Sequence, residues 1–558
     1  MRFVRTIPIA CALFAAAHGA EQVKLDRVEL MPNLPQPFAM RDWKKVARDY
    51  DALVFDFNAK GQYLPLIWWD DTKHNALLRG FGLPSYVGSP RQTGGRHHEA
   101  INCMAAVVGA SLVGIDKANQ GGRNFVAMCQ RYFNRDNGLN LYMNSVAHGT
   151  GGSFWYETYP SLLFAQLLHL VPGVGEFGQH LRLSADRMLG AVRVLAGPEG
   201  VPDFNHTAFD YSKMAPADNG RWKEPDAAAG YAWFLYVAHV KTGEAKYLEG
   251  ADLCLRFLEK HPTNPFYEIL MPYGAVLAAR MNAELGRRYD VHKFLTWCFG
   301  PSVSRPDWGV VADKWGGLDV AGLGGSLKDG GGYAFAMNTF DAVATLAPLP
   351  RYDARYARAI GKYILNAANS ARLFYANAHD DAHQSCAAWA RQHDPNSCVS
   401  YEGCRKTGRH DGVARSPYAT GDAVGRNGAT TTNFALYGAS HVGYLAAVVE
   451  KTNVEGILQL DLLKTDWHHA PAYPTFLYYN PHAEAKQVEI EVGPEPRDLY
   501  DAVSHGFAAR GVRGKVRFAL DADRARIVVL VPANTRVSRE GERVLANGLI
   551  VDYGRDGQ

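Results

Sequence analysis

Apolar side chains at helical spacing recur along most of this chain, from about residue 40 to about residue 455. Tyr231, Phe234 and Ala238 follow one another at steps of three and four residues. The same spacing resumes at Tyr247, after a break at Gly243. Two such stretches joined by a short break are typical of a helical hairpin.

Similar apolar stretches cover residues 98–114, 124–133, 160–170, 179–195, 272–285, 291–298, 333–346, 354–371 and 434–450. About twelve helices joined as hairpins predict a mainly α protein, because each pair must bury its apolar stripe against its neighbours. A closed (α/α)n toroid, or an incomplete barrel of the same kind, meets that need.

The pattern changes after about Asp466. Val488, Ile490 and Val492 alternate with polar residues, and 516–520 repeats the alternation. Period-two patterns between turn residues are typical of antiparallel strands. We therefore expect a toroid domain over residues 21–470 and a small β-sheet domain over 471–558.

The first twenty residues have the features of a secretory leader. Arg2 and Arg5 precede an apolar run, and small residues follow it near Ala17 and Ala20. The leader predicts a periplasmic or secreted protein, cleaved after Ala20 or near Ala17. Lipidation at Cys11 is a weaker alternative, and no later run predicts a membrane span.

The composition argues against a disordered protein and against a nucleic-acid-binding protein. Hydrophobic residues make up 47% and charged residues 21% of the chain, which excludes disorder. The net charge of +3 argues against nucleic acid as a partner, because such a protein needs a strongly basic surface. The sequence does not determine the oligomeric state.

Seven cysteines follow the leader, so they cannot all pair. Cys386, Cys398 and Cys404 fall in a polar loop, where we expect one disulfide among them in an exported protein. A zinc site with His383, His393 or His410 is the alternative. We favour no metal and no cofactor, since the phosphate-loop, dinucleotide and EF-hand patterns are absent.

A basic run precedes the first long helix of the toroid. It reads Arg96-His97-His98-Glu99 and follows two glycines. Two adjacent imidazoles and a carboxylate at a helix start could serve as a base, a metal ligand or a sugar clamp. Arg96, His97 and His98 are therefore substrate-binding candidates.

The segment from Asn144 to Pro160 contains Phe154-Trp155-Tyr156-Glu157. It resembles the Asn-Trp-Trp-x-x-Glu-Ile-Gly-x-Pro stretch of toroid polysaccharide lyases that act on hyaluronan, chondroitin and alginate-like chains, with each gap one residue shorter. The resemblance implies a glycan substrate, and we expect Trp155, Tyr156 and Glu157 to contact sugar.

A third cluster spans 203–211 and holds Asn205, His206 and Tyr211. Lyases of that group abstract the C5 proton of a uronic acid and protonate the leaving oxygen. The resemblance implies His206 or Tyr211 as base and acid. Asn144 and Asn205, or the cations Arg96 and Arg221, would neutralise the substrate carboxylate.

Glu224 and Asp226 stand at the start of another helix pattern. The Asp-Ala-Ala-Ala-Gly-Tyr-Ala-Trp run that follows is similar to helix pairs of unsaturated-glucuronyl hydrolases. That similarity implies a general acid or base at this helix start. Glycoside hydrolysis needs two carboxylates, and the second could come from Glu157, Glu268 or Asp329.

Aromatic residues interleaved with glycine suit an extended glycan cleft. We assign substrate-binding roles to Tyr267, Glu268, Tyr273 and Trp315, and expect the long polar segment 378–432 to supply its rim, including Glu402.

Three functions remain open from the sequence. The first is a secreted polysaccharide lyase that cleaves a uronate glycan by β-elimination. The second is a glycoside hydrolase on the same toroid, and the third is a non-catalytic glycan-binding protein, which needs the aromatic cleft but no ionisable pair.

Overall fold

The computed structural model describes residues 20–89, 97–328, 332–424 and 431–554, and every structural statement concerns these residues. Residues 1–19 of the expected leader lie outside them. Arg96 and Asp329, named above as site candidates, also lie outside them.

Helices hold more of the described residues than strands do. In chain order they are α1 (Asp26–Glu29), α2 (Trp43–Val54), α3 (Ala100–Leu112), α4 (Phe125–Met128), α5 (Phe154–Leu170), α6 (Phe177–Ala196), α7 (Ala227–Thr242), α8 (Ala245–Lys260), α9 (Met271–Leu285), α10 (Val291–Phe299), α11 (Ala336–Leu346), α12 (Leu349–Tyr352), α13 (Ala357–Ser370), α14 (Ala387–His393), α15 (Leu436–Ala439) and α16 (Val442–Val448).

Six of these helices form a closed inner ring. Helix α3 packs on α5, and the contacts continue through α7, α9, α11 and α16 back to α3. Helices α2, α6, α8, α10 and α13 pack outside the ring. Inner α7 is buried on all sides from Ala227 to Ala238, whereas outer α8 buries one face. A helix that is apolar all round must be covered all round, so the predicted toroid is confirmed.

The ring closes where two glycines meet. A Cβ atom added at Gly443 in α16 would lie 2.2 Å from the carbonyl oxygen of Gly109 in α3. No side chain fits at that distance, so the two helices approach backbone to backbone. This contact joins the first and last helices of the ring.

A polar network lies inside the ring. The hydroxyls of Tyr159 and Tyr273 each donate to Oδ1 of Asp341 at 3.0 Å, and Nε2 of His441 lies 2.9 Å from the Tyr159 hydroxyl. All four residues are buried. Burial raises the pKa of Asp341 to about 7 and lowers that of His441 to about 3.

Strands form two main sheets and several small hairpins. They are β1 (Trp68–Asp70), β2 (Gly80–Gly82), β3 (Ala208–Asp210), β4 (Ala215–Ala217), β5 (Trp308–Val310), β6 (Lys314–Trp315), β7 (Leu318–Asp319), β8 (Gly324–Ser326), β9 (Tyr333–Phe335), β10 (Gly403–Arg405), β11 (Gly408–His410), β12 (Val413–Arg415), β13 (Tyr418–Thr420), β14 (Val449–Lys451), β15 (Leu458–Asp461), β16 (Thr475–Tyr479), β17 (Lys486–Glu491), β18 (Arg497–Asp501), β19 (Gly506–Val512), β20 (Lys515–Leu520), β21 (Ala525–Pro532), β22 (Val537–Glu540), β23 (Arg543–Ala546) and β24 (Leu549–Asp552).

The C-terminal strands confirm the predicted antiparallel sheet. Six of them are ordered β14-β15-β16-β21-β18-β19, and the pair β17-β20 packs beside them. Val488 pairs with Phe518, which matches the predicted alternation. The last helix of the ring ends at Val448 and β14 begins at Val449, while the domain boundary near residue 470 stays a prediction.

A second sheet lies within the helical part and was not expected from the sequence. Its order is β13-β10-β9-β8-β5, and each strand has three residues. Strand β9 runs directly into inner helix α11, so this sheet lies at one mouth of the ring. Strands this short show too little alternation to be recognised from sequence.

The expected disulfide is wrong. Cys386, Cys398 and Cys404 are all free thiols, as are the other four cysteines in the described residues. The Sγ atom of Cys398 lies 3.1 Å from Oδ1 of Asp394, and Cys404 is buried in β10. No described helix combines the length and apolar character that a membrane crossing requires.

Candidate active site

A cavity of about 410 Å³ opens at one mouth of the ring. Glu99 precedes α3, Tyr156 lies in the first turn of α5, Glu268 precedes α9 and Asn338 lies in the first turn of α11. The amino-terminal ends of at least four inner helices therefore meet at this cavity, which we call the central cavity. It is lined by Pro84, Ser85, Tyr86, Ser89, His97, Glu99, Tyr156, Glu268, Arg305, Trp308, Phe335, Met337, Asn338, Glu402, Asp422 and Tyr437.

Glu402 enters the cavity from the residue before β10. Its Oε1 accepts a hydrogen bond of 2.7 Å from Tyr86, and its Oε2 accepts from the Tyr333 hydroxyl at 3.2 Å and from the Asp422 amide at 2.7 Å. Burial raises the pKa of Glu402, and the hydrogen bonds only partly oppose that effect. A carboxyl group with a raised pKa can act as a proton donor near neutral pH.

Glu268 is held in its charged form. Its carboxylate pairs with the guanidinium of Arg305, which lies 3.9 Å from the centre of the Trp308 ring. The Glu268 carbonyl oxygen accepts from Trp308 Nε1 at 3.0 Å and from Asn338 Nδ2 at 2.8 Å. These contacts fix both the backbone and the side chain of Glu268 at the cavity wall.

Glu99 lies at the N-cap position of α3. Its Oε1 accepts from Asn144 Nδ2 at 2.8 Å, and its Oε2 accepts from the Ser85 hydroxyl. Both partners donate, and the amino-terminal end of a helix favours negative charge. Asn144 also accepts the Ala100 amide on its carbonyl oxygen at 2.9 Å, so it fixes the start of α3 as well as Glu99.

Aromatic rings cover much of the cavity wall. Tyr86 and Tyr437 stack with their centroids 6.4 Å apart and their planes 10° apart. The hydroxyls of Tyr156 and Tyr437 lie 3.5 Å apart. Trp155 is buried behind them and stacks on Tyr156 at 5.0 Å, so it supports the ring that faces the cavity.

Three predicted carboxylates lie behind the cavity lining. Glu157 accepts the amides of Gly151, Gly152 and Phe209, at 2.7–3.1 Å. Glu224 accepts from the amide of Trp155 and the hydroxyl of Ser153. These bonds tie loops to the starts of α5 and α7, which is a structural role.

Asp226, at the N-cap position of α7, accepts the Tyr267 amide at 3.1 Å. Burial raises the pKa of Glu157 to about 8, of Glu224 to about 7 and of Asp226 to about 8. The mutual repulsion of Glu224 with Glu157 and with Asp226 adds to the rise.

The two adjacent histidines point in different directions. His97 is exposed and lines the central cavity. His98 is buried, with Nδ1 2.6 Å from the Tyr132 hydroxyl and Nε2 3.1 Å from Asp70 Oδ2. His97 is therefore the member of the pair that can meet a ligand in the central cavity.

The cluster at 203–211 does not line the central cavity. His206 Nδ1 pairs with Asp218 Oδ2 at 2.9 Å, and the Asn205 amide donates to Asp203. Tyr211 is buried, and its hydroxyl lies 2.5 Å from that of Tyr231. Burial raises the pKa of Tyr211, which makes its phenolate costly.

Tyr267, Tyr273 and Trp315 also differ in their positions. Tyr267 lies 5.5 Å from the Arg305 guanidinium, beside the cavity. Tyr273 belongs to the network inside the ring, and Trp315 is buried with its Nε1 3.1 Å from Asp313 Oδ2. Neither Tyr273 nor Trp315 is among the lining residues.

Several lining residues were missed from the sequence. Tyr86, Arg305 and Tyr437 stand in stretches without a motif, and Glu99 was recognised as a carboxylate at a helix start but was not assigned to substrate binding. Tyr86 and Glu402 are 316 positions apart, so no local spacing connects them. Within the described ranges, no three His, Cys, Asp or Glu side chains are grouped to hold a metal ion.

Comparisons with known proteins give structural similarity only. No protein-family description matches the sequence, and no curated protein matches it. A GH127 β-L-arabinofuranosidase from Geobacillus stearothermophilus aligns with 92% of this chain and 85% of its own, at 12% identity and a TM-score of 0.33.

Two glycosidase variants, one of them in complex with glucose, each align with 73% of this chain and 96% of their own at 13% identity. Their TM-scores are 0.29 and 0.26. Because these TM-scores are low, the toroid fold is assigned from the helix contacts within this chain and not from these structural similarities.

Proposed function

We propose that the chain is a carbohydrate-active enzyme that hydrolyses a glycosidic bond in the central cavity. The observation that carries the proposal is a pair of carboxyl groups with different surroundings. Burial favours the protonated form of Glu402, while the ion pair with Arg305 keeps Glu268 charged. Glycoside hydrolysis uses such a pair, one as acid and one as base.

In this proposal Glu402 gives its proton to the oxygen of the leaving group as the bond to the anomeric carbon breaks. Glu268 removes a proton from the water whose oxygen attacks that carbon. Glu99 accepts hydrogen bonds from sugar hydroxyls. Tyr156 and Tyr437 offer ring faces on which the apolar face of a sugar can stack.

The charges of the described lining support a neutral sugar over a uronate. Four carboxyl groups, those of Glu99, Glu268, Glu402 and Asp422, line the cavity beside one guanidinium, that of Arg305, and the imidazole of His97. Arg305 is engaged by Glu268, and the nearby Arg405 is engaged by Asp422 at 2.9 Å. A substrate carboxylate would add repulsion to this arrangement.

The lyase hypothesis remains the second candidate, since His97 and three tyrosines also line the cavity and could move a proton. One experiment separates the candidates. The protein is incubated with neutral and uronate oligosaccharides while reducing ends and ultraviolet absorbance are recorded together. Reducing ends alone support hydrolysis, both signals support β-elimination, and binding without either signal supports a non-catalytic protein.

The variant Glu402→Gln tests the assignment of the acid. We expect kcat to fall about 100-fold or more, because the amide has no proton to donate. The control Glu249→Gln changes an exposed glutamate on outer helix α8 and should leave kcat unchanged. Full activity of Glu402→Gln would overturn the assignment.

We also propose that the chain is exported, as its leader predicts. Mass spectrometry of the mature amino terminus, after expression of the full chain in a bacterium, tests this. A first residue at or near Glu21 supports export, and an intact Met1 in the cytoplasm contradicts it.

A further inference from the structure

A second cavity, of about 660 Å³, lies between the toroid and the C-terminal strands. We call it the interdomain cleft. It is lined by Asn282, Arg288, Tyr289, Asp290, Val291, His292, Arg355, Tyr356, His505, Arg539, Gly541, Glu542, Val544 and Gly554. None of these residues lines the central cavity.

Hydrogen bonds hold the two sides of the interdomain cleft together. Arg543, in β23, donates to the carbonyl oxygens of Ala283 at 2.6 Å and Glu284 at 2.8 Å, in the last turn of α9. Carbonyls at a helix end lack partners within the helix, so this contact clamps the hairpin β22-β23 onto α9. A Cβ at Gly554 would lie 1.8 Å from the Glu542 carbonyl oxygen, so the backbone at Gly554 fits closely against the hairpin turn.

Several charged groups of the cleft already have hydrogen-bond or ion-pair partners within the protein. Asp353 holds the Arg355 guanidinium through two bonds of 2.9 and 2.7 Å. Asp552 accepts at 2.7 Å from Nδ1 of His505, and Asp290 caps α10 by accepting the Lys293 amide at 2.9 Å.

Arg288 and Arg539 differ from these groups. Both are exposed, and within the described part of the chain neither side chain has a hydrogen bond or an ion pair. Arg288 comes from the toroid and Arg539 from β22, so the two domains each present one guanidinium to the same cavity. A guanidinium fork binds carboxylate and sulfate oxygens in pairs.

Aromatic rings accompany these cations. Tyr356 and His292 stack with centroids 6.4 Å apart and planes at 26°. Tyr289 also lines the cleft, and its hydroxyl is held by Asp252 at 2.5 Å. Rings next to guanidinium forks suit a sugar that carries an acidic group.

We propose that the interdomain cleft is a non-catalytic binding site for an acidic oligosaccharide, whose carboxylate or sulfate groups bind Arg288 and Arg539. This site is independent of the chemistry in the central cavity. It places the acidic ligand away from the carboxylate-rich cavity, where the described lining disfavours it.

Calorimetry with the full-length protein tests the proposal, with trigalacturonate, a sulfated disaccharide and a neutral trisaccharide as probes. We expect one or both acidic probes to bind and the neutral one to bind more weakly. The double variant Arg288→Ala/Arg539→Ala should weaken binding about tenfold or more, and added salt should weaken binding to the wild type. Which acidic probe binds distinguishes carboxylate from sulfate.

The control Arg193→Ala/Arg513→Ala removes one exposed arginine from each domain, outside the cleft, and should bind as the wild type does. Arg288→Lys/Arg539→Lys keeps the charge but loses the fork, and should bind with intermediate strength. Binding in the alanine double variant equal to the wild type, or no binding of either acidic probe to the wild type, would overturn the proposal. Glu402→Gln should bind the acidic probe normally even if it lacks turnover, which separates this site from the proposed hydrolysis.

Discussion

The hydroxyl of Tyr86 donates a 2.7 Å hydrogen bond to Oε1 of Glu402 in the wall of the central cavity. This bond favours the charged form of Glu402, whereas burial favours the neutral form. The balance between the two sets the pH range in which Glu402 can donate a proton. Tyr86 therefore acts as a positioning residue for the proposed acid.

Tyr86→Phe should move the alkaline limb of the kcat–pH profile to higher pH. Loss of a bond to the carboxylate raises the pKa of Glu402 further, and the acid works only while it is protonated. We expect a shift of about 0.5–1 pH unit, which corresponds to a hydrogen bond of about 1 kcal/mol. The control is Tyr473→Phe, which lies outside the cavity lining. If the alkaline limb of the Tyr86→Phe profile stays in place or moves to lower pH, the assignment is contradicted.

Asp341→Asn should flatten the dependence of stability on pH. The pKa of Asp341 is raised from 3.8 to about 7 by burial, so its stabilising contribution is complete below pH 3.8. That contribution is lost as pH rises through about 7. Between pH 5 and pH 8 the wild type should lose about 2–3 kcal/mol more than the variant, measured by urea unfolding.

The control for this experiment is Asp411→Asn, whose carboxylate is 92% exposed and should leave the pH dependence unchanged. The same pH slope in the wild type and in Asp341→Asn would show that the pKa of Asp341 is not raised in the folded protein.

Gly443→Ala should destabilise the ring. The added methyl group meets backbone atoms of Gly109 at 2.2 and 2.4 Å, so α3 and α16 must separate. Overpacking of this kind costs about 1–3 kcal/mol, and thermal unfolding will measure it. Gly178→Ala, at an open position of outer helix α6, should be neutral or slightly stabilising. Equal stability of Gly443→Ala and the wild type would show that the helices do not meet at this point.

Lys117→Met should cost about 3 kcal/mol of stability. Lys117 Nζ lies 2.8 Å from Asp51 Oδ1, and the two side chains are 0% and 4% exposed. Removal of the ammonium leaves a buried carboxylate without its counter-charge. Lys45→Met breaks a pair with Asp49 in which the lysine is 62% exposed, and should cost less than about 1 kcal/mol. A similar cost for both variants, measured by denaturant unfolding, would contradict this account.

The toroid could be predicted because the spacing of apolar residues within each helix shows which of its faces are buried. Ala227–Thr242 is apolar on all sides and belongs to the inner ring, whereas Ala245–Lys260 has one apolar face and lies outside. Such periodicity needs no knowledge of distant contacts.

The candidate site could be predicted only in part. His97, Tyr156 and Glu268 line the cavity as expected from aromatic and charged loops. Glu157 and Glu224 look alike in sequence but accept backbone amides, which local spacing cannot reveal. Glu402 reaches the cavity because β10 pairs with β9 and β13, and pairing of three-residue strands depends on contacts far apart in sequence.

The helices that close the ring are separate from the sheet that lines the central cavity. This separation affects how the substrate preference can change. The five-stranded sheet carries Trp308 and Phe335, and Glu402 precedes its strand β10, while the ring closes through Gly109 and Gly443. Exchanges in the sheet alter what the cavity touches without moving the helices that keep it open. A library confined to Trp308 and Phe335, the described strand residues that line the cavity, should therefore yield variants that keep the thermal stability of the parent and differ in the sugar they accept.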